Sequence, residues 1–218
     1  FLLDQDRAVR NANLAAIYNN LGMREISIRE AHRAVQNDYA NYSAHLFLAN
    51  SYDALRDPRR FQLRFETPWA NELLLANLLS PASAGTLSQY VSQQEYTPLF
   101  ESQRLGLNVH STYQSHGEFQ QLITQNGLFG DTSYSIDFDY HTFDGYRLNS
   151  GFNRMDIFAQ LKHQLTEKDT VFFQLKFQDF DGGDVSQIQD NSQLRENFYF
   201  KEKQIPLLFA GYHHQWSP

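Results

Sequence analysis

Three groups of side chains have types and spacings that could do chemistry. Asp137, Asp139 and His141 stand two residues apart, so on an extended strand they project from one face, where they could coordinate a cation. Asp179, Asp181, Gly182, Gly183 and Asp184 have the composition of a calcium loop without the regular ligand spacing of an EF-hand, and a hydrated loop accounts for them as well. His213 and His214 are adjacent, so in a strand they point to opposite faces and cannot hold one metal together. No Gly-rich phosphate loop, nucleophile elbow or zinc signature occurs, and with no cysteine there is no thiolate chemistry and no disulfide framework. The sequence thus predicts no catalytic residue, no metal centre, no cofactor and no enzyme. A lipid hydrolase housed in a barrel would need a Ser-His pair at a rim, and spacing assembles none.

The elements that carry these residues alternate with period two. Leu105, Leu107, Val109, Ser111 and Tyr113 alternate with Gly106, Asn108, His110, Thr112 and Gln114. Tyr134, Ile136, Phe138 and Tyr140 alternate with Ser135, Asp137, Asp139 and His141, and Met155, Ile157, Ala159 and Leu161 with Asp156, Phe158, Gln160 and Lys162. Val171, Phe173, Leu175 and Phe177 alternate with Phe172, Gln174, Lys176 and Gln178. Six strands are predicted near 104–114, 119–128, 133–142, 154–165, 170–179 and 206–216. Alternation alone also fits a soluble sandwich, but strands of soluble domains average about 5–6 residues. These runs last about 9–11, the length a tilted membrane-spanning strand needs.

Parity fixes one hairpin: Leu161 opposite Leu175 and Ala159 opposite Phe177 leave a three-residue loop, Glu167-Lys168-Asp169, and place Lys162 beside Gln174 and Gln160 beside Lys176. A second tight turn falls at Gly130-Asp131-Thr132, and longer loops at 143–153 and 180–205; the short loop at Ser115-His116-Gly117 is the exception to the rhythm. Tyr113, Tyr134, Tyr140, Phe143, Tyr146, Phe177 and Trp216 sit near strand ends, as interface girdles would. In a barrel the polar faces enclose the lumen, which makes Asp137, Asp139, His141, Asp156, Gln160, Lys162, Gln174, Lys176 and Gln178 the candidate lumen-lining residues, charged groups there tuning selectivity. Six strands fall short of eight, the smallest usual membrane barrel, so the barrel segment is read as incomplete.

Residues 4–55 are rich in Ala, Leu, Asn and Arg, contain no Pro and one Gly, and predict helix. Leu14-Ala15 with Tyr18 recurs as Leu48-Ala49 with Tyr52 at an offset of 34 residues. Leu21-Gly22 falls at the turn between helices, and Ala31 and Ala34 where a second helix must pack closely. This segment resembles the tetratricopeptide repeat, with Asn11 in place of the usual bulky aromatic and Tyr39 where a Pro commonly ends the unit. Asn19, Asn50 and Asp53 are the residues such a groove would present, on a face that is otherwise simply solvated. About three repeats are needed to bury a continuous core, so this stretch must stack on something else.

A connector, 58–103, follows Asp57-Pro58. A basic cluster (Arg56, Arg59, Arg60, Arg64) spans its start, suited to a solvated linker or to a membrane surface or acidic rim, and it holds an apolar stretch Leu73–Leu79 fit for two helical turns and a Ser- and Gln-rich segment, 82–103, that could enter a barrel as a plug. The net charge of −7 with no basic run gives no footprint for nucleic acid. A mean hydropathy of −0.56 does not exclude a membrane, because a barrel shows only alternate residues to lipid. No run approaches the roughly 18 apolar residues of a membrane helix. Phe1 in place of Met and the apolar segment running into Ser217-Pro218 read as cut ends, the mark of a fragment.

The expectation is therefore an α+β, multi-domain chain: 1–57 tetratricopeptide-like, 58–103 connector, 104–218 part of an antiparallel barrel. As a whole it resembles bacterial outer-membrane proteins in which periplasmic tetratricopeptide repeats precede a barrel, similar in architecture to exopolysaccharide-export porins. That resemblance implies a bacterial outer-membrane location with the helices in the periplasm, contact with outer-membrane lipid, passage of a solute or polysaccharide through the lumen, and repeats that recruit a periplasmic protein. The competing expectation is a soluble β-sandwich binding or adhesion module with a helical arm, which predicts a second sheet packed on the apolar faces. A nutrient receptor with an N-terminal plug is a further reading, which an energy-coupling motif upstream would support.

Overall fold

The computed structural model describes residues 2–53, 67–82, 104–185 and 195–216. The basic cluster Arg56, Arg59, Arg60 and Arg64, the segment proposed as a plug and the middle of the last long loop lie outside them. The chain divides into two compact units, one holding the four helices and the other most of a six-stranded sheet, an α+β layout as expected.

The helices are α1 (Leu2–Asn20), α2 (Arg24–Asn37), α3 (Tyr42–Asp53) and α4 (Pro68–Leu79). The break after α1 is a Schellman turn: Met23 N–H donates to Tyr18 O at 2.9 Å and Gly22 N–H to Asn19 O at 3.0 Å, with Gly22 at φ +75° where a side chain would be strained. This is the turn expected at Leu21-Gly22. α1 packs on α2 and α3 through small residues; Ala12, Ala15, Ala31, Ala34 and Ala44 close around Val35 and Leu48. Ala31 and Ala34 are fully buried. Ala31→Leu should therefore overpack the three-helix contact and cost about 1–3 kcal/mol, read as a lower thermal midpoint of the helical far-ultraviolet signal. Ser27 Oγ donates to Ala15 O at 2.7 Å and lies 2.9 Å from Ser51 Oγ, so these two buried hydroxyls are paired.

α4 is longer than the two turns expected of Leu73–Leu79, because Thr67 caps it (Ala70 N–H to Thr67 Oγ1, 3.3 Å) and Pro68 occupies its first turn, where no amide partner is needed. It packs on α3 through Trp69, Ala70 and Leu73 against Ala49 and Tyr52. His45, fully buried, joins the same pair of helices: Nδ1 lies 2.6 Å from Glu72 Oε2 and Nε2 2.9 Å from Tyr39 O. Burial and the charge of Glu72 push the Tyr52 hydroxyl pKa up.

The strands are β1 (Arg104–Tyr113), β2 (Phe119–Phe129), β3 (Thr132–Phe143), β4 (Phe152–Gln164), β5 (Asp169–Gly182) and β6 (Phe200–His214), paired in sequence order into one antiparallel sheet. They run from 10 to 15 residues, well beyond the usual strand length. The sheet is open, with β1 and β6 as its edges. Tight turns lie at one end and the longer connections at the other, as the loop rhythm required. Phe129 pairs with Thr132, leaving the two-residue turn Gly130-Asp131 with Gly130 at φ +51°.

Two expectations need correction. The β4–β5 turn closes on Glu167-Lys168 alone: Thr166 and Asp169 exchange two backbone hydrogen bonds of 3.3 Å, and Thr166 Oγ1 also accepts from Lys168 and Asp169 amides, so Asp169 is already strand. And β6 begins at Phe200, well before the expected 206, because Pro206 does not end it. Ile205 and Pro206 are both exposed while Gln204 and Leu207 both turn to the more buried side, a change of parity that marks a bulge. Proline, lacking an amide donor, is tolerated on such an edge strand.

Candidate functional site

Strand parity carries one face around the whole sheet. Register places Leu107 opposite Gln125, Gln125 opposite Ile136 and Ile136 opposite Ala159, and on the other face Thr124 opposite Asp137 and Asp137 opposite Phe158. The two faces differ in polarity and burial in the sense opposite to a water-soluble sheet. On the edge strands Leu105, Leu107, Val109, Tyr113, Ile205, Leu208 and Tyr212 keep 59–77% of their surface exposed, and on the inner strands Ile136, Leu161 and Phe173 keep 42–49%. Asp137, Asp139, Lys162 and Lys176 keep none.

All nine candidate lumen-lining residues stand on the polar face: Asp137, Asp139 and His141 on β3, Asp156, Gln160 and Lys162 on β4, and Gln174, Lys176 and Gln178 on β5. Eight are buried and His141 is half-buried. The charges are organised. Arg154 donates to Asp139 Oδ2, and its Nε lies 2.9 Å from Asp156 Oδ2, an ion pair set off the hydrogen-bond direction. Gln120 Nε2 donates to Asp139 Oδ1 at 3.0 Å, and His141 Nε2 lies 3.0 Å from Glu118 Oε1. Lys176 Nζ sits 5.5 and 5.7 Å from the ring centroids of Phe158 and Phe209. Thr124 Oγ1, Ser133 Oγ and both amide atoms of Gln174 are buried with no hydrogen-bond partner among the described residues. Groups of that kind call for water or a polar ligand.

Arg154 was not singled out from sequence, although it stands two residues before Asp156 and the same spacing rule reaches it. The cation reading of Asp137, Asp139 and His141 meets a different arrangement: Asp139 is engaged by Arg154 and His141 by Glu118. No group of three or more His, Asp or Glu placed to hold a metal occurs among the described residues. Asp184 of the calcium-like run instead faces Arg147, whose guanidinium donates to Asp184 O at 2.6 Å. His214 pairs with Asp169 at 2.7 Å on the apolar face, where Tyr212 also donates to Asp169.

The exposed face is banded. Tyr113, Phe119 and Tyr140 lie toward its loop end, Phe129, Tyr134, Tyr212 and Trp216 toward its turn end, and aliphatic residues between, while Phe177, expected at a strand end, stands near the middle of β5. Tyr134 and Tyr140 are six residues apart on β3, about 20 Å of strand. Tyr134 lies across Gly127, where a Cβ would run into its ring, and Gln125 Nε2 donates to its hydroxyl at 2.7 Å. Gly127→Ala should displace the ring and cost about 1–3 kcal/mol, measurable as an earlier urea midpoint. Phe143, expected in this girdle, is on the opposite face: it pairs with Phe152, which shares parity with Arg154 and Asp156. Tyr146 is a loop residue that packs on Phe143.

The repeat-groove candidates are separate. Asn19 is half-buried in the last turn of α1, Asn50 is exposed on α3 and Asp53 ends α3.

These features define a class in plain terms: an N-terminal set of packed helices followed by an open antiparallel sheet whose charged face is buried and whose aliphatic face is exposed. Comparison with protein-family models finds no match, and neither does comparison with curated proteins or with solved structures. No described helix is long and apolar enough to cross a membrane, which leaves strands as a separate question.

Proposed function

We propose that the sheet is part of an outer-membrane β-barrel that passes a solute or polysaccharide along its polar face, with the N-terminal helices acting as tetratricopeptide-type repeats that recruit a protein partner in the periplasm. The single observation that carries this reading is the reversed polarity of β3, β4 and β5, where Ile136, Leu161 and Phe173 are exposed while Asp137, Asp139, Asp156, Lys162 and Lys176 are buried. A soluble sandwich buries its aliphatic face against a second sheet, whereas a lipid-facing strand exposes it and turns its polar alternates to the interior. Strand length, the aromatic bands and the segregation of tight turns from long loops support the same reading. Buried polar atoms without protein partners fit an interior that holds water or solute.

The test is where the full-length protein partitions and how it migrates. Outer-membrane fractionation, with faster gel migration before heating than after, is the expected result. A protein that stays soluble without detergent would remove the reading and leave a binding module with a helical arm.

A further inference from the structure

The polar face changes character at the loop end of the sheet. There a continuous row of rings crosses four strands: Tyr146 to Phe143 at 4.8 Å between centroids, Phe143 to Phe152 at 5.8 Å, and Phe152 to Phe180 and Phe180 to Phe200 each at 5.9 Å. Phe152 precedes Arg154 by two residues and Phe180 follows Gln178 by two, so both extend the face that carries the charges. Gly182 makes room for the row, since a Cβ there would come within 2.8 Å of Phe152 Cβ.

The connections above this row are tied to one another. Asn149 Nδ2 donates to the backbone oxygens of Arg195 (2.8 Å) and Phe198 (2.7 Å), Asp184 N–H to Asn149 O (2.6 Å) and Gly183 N–H to Gly151 O (3.0 Å).

We propose that this aromatic row is one wall of the pathway's constriction, this sheet's share of a hydrophobic collar that holds back water and small ions at the loop end; this rests on the membrane reading of the sheet. Ions crossing an apolar constriction lose hydration with nothing to replace it, so such a ring restricts conduction by dewetting. Polar side chains in the same places would let water through.

The experiment is single-channel conductance of the full-length protein in planar bilayers, comparing wild type with Phe180→Ser, Phe200→Ser and Phe180→Leu. The serine variants should conduct several-fold more than wild type and the leucine variant should match it. Unchanged conductance in serine variants that keep the heat-dependent gel shift overturns the collar and leaves the barrel standing. If Phe180→Ser loses the shift, the exposed edge residue Phe200 and the loop variant Tyr146→Ser decide, and no rise in either overturns it. Wild-type protein that neither shifts nor inserts overturns the membrane reading itself, and the collar with it.

Discussion

Leu107→Arg and Leu208→Arg are each expected to cost about 2–4 kcal/mol in the bilayer-folded protein, although both side chains are largely exposed, at 67% and 76%. Surface changes at such exposed positions in a water-soluble protein usually stay within about ±0.5 kcal/mol. The difference is the solvent that meets them. Leu107 lies mid-strand on β1, in the row with Gln125, Ile136 and Ala159, and Leu208 lies on β6 beside Phe173 and Leu175 in a shallow apolar hollow of the same face. A guanidinium there must leave water for hydrocarbon or drag water with it. Urea titration of the folded form in lipid vesicles measures the cost. Leu107→Ser should lose much less, and arginine variants indistinguishable from wild type would mean that this face meets water.

Arg154→Met is expected to be the most damaging single change on the polar face, at about 3–5 kcal/mol. Its guanidinium lies between Asp139 and Asp156, both almost wholly buried, and its removal leaves two carboxylates facing each other without a counter-charge. Gln120 would still donate to Asp139. Adding Asp139→Leu to Arg154→Met should recover part of the loss, since it removes one uncompensated charge while filling similar volume. The double-mutant cycle is read from urea midpoints; costs that merely add would mean that the two groups do not act as a pair.

Much of the sheet was legible because the property that sets it is local. Period-two alternation places Asp137 and Asp139 on one face of β3, and matching polar alternates across strands brings Lys162 and Lys176 to the same face, while Gly130-Asp131-Thr132 announces a tight turn, which closes on Gly130-Asp131 with Gly130 at positive φ. Ala31 and Ala34 were readable for a similar reason, as small residues at a close helix contact. What escaped depends on register or on distant partners. Phe143, Phe152, Phe180 and Phe200 come from four strands, and only pairing brings their rings into one row. His45 lies on α3 and Glu72 on α4, within the connector, and neither alone signals the other. The bulge at Ile205-Pro206 was hidden because a proline reads as a stop unless the strand is known to be an edge.

The central claim is that the aliphatic face meets lipid and the charged face does not. It is tested most directly by placing a single tryptophan at Phe173 or at Gln174, adjacent residues on opposite faces of β5, after Trp69 and Trp216 are replaced by Phe. The proteins are folded into vesicles whose acyl chains carry bromine. Strong quenching of the tryptophan at 173 with little at 174 is the result this account predicts; equal quenching at both, or none at 173, would contradict it.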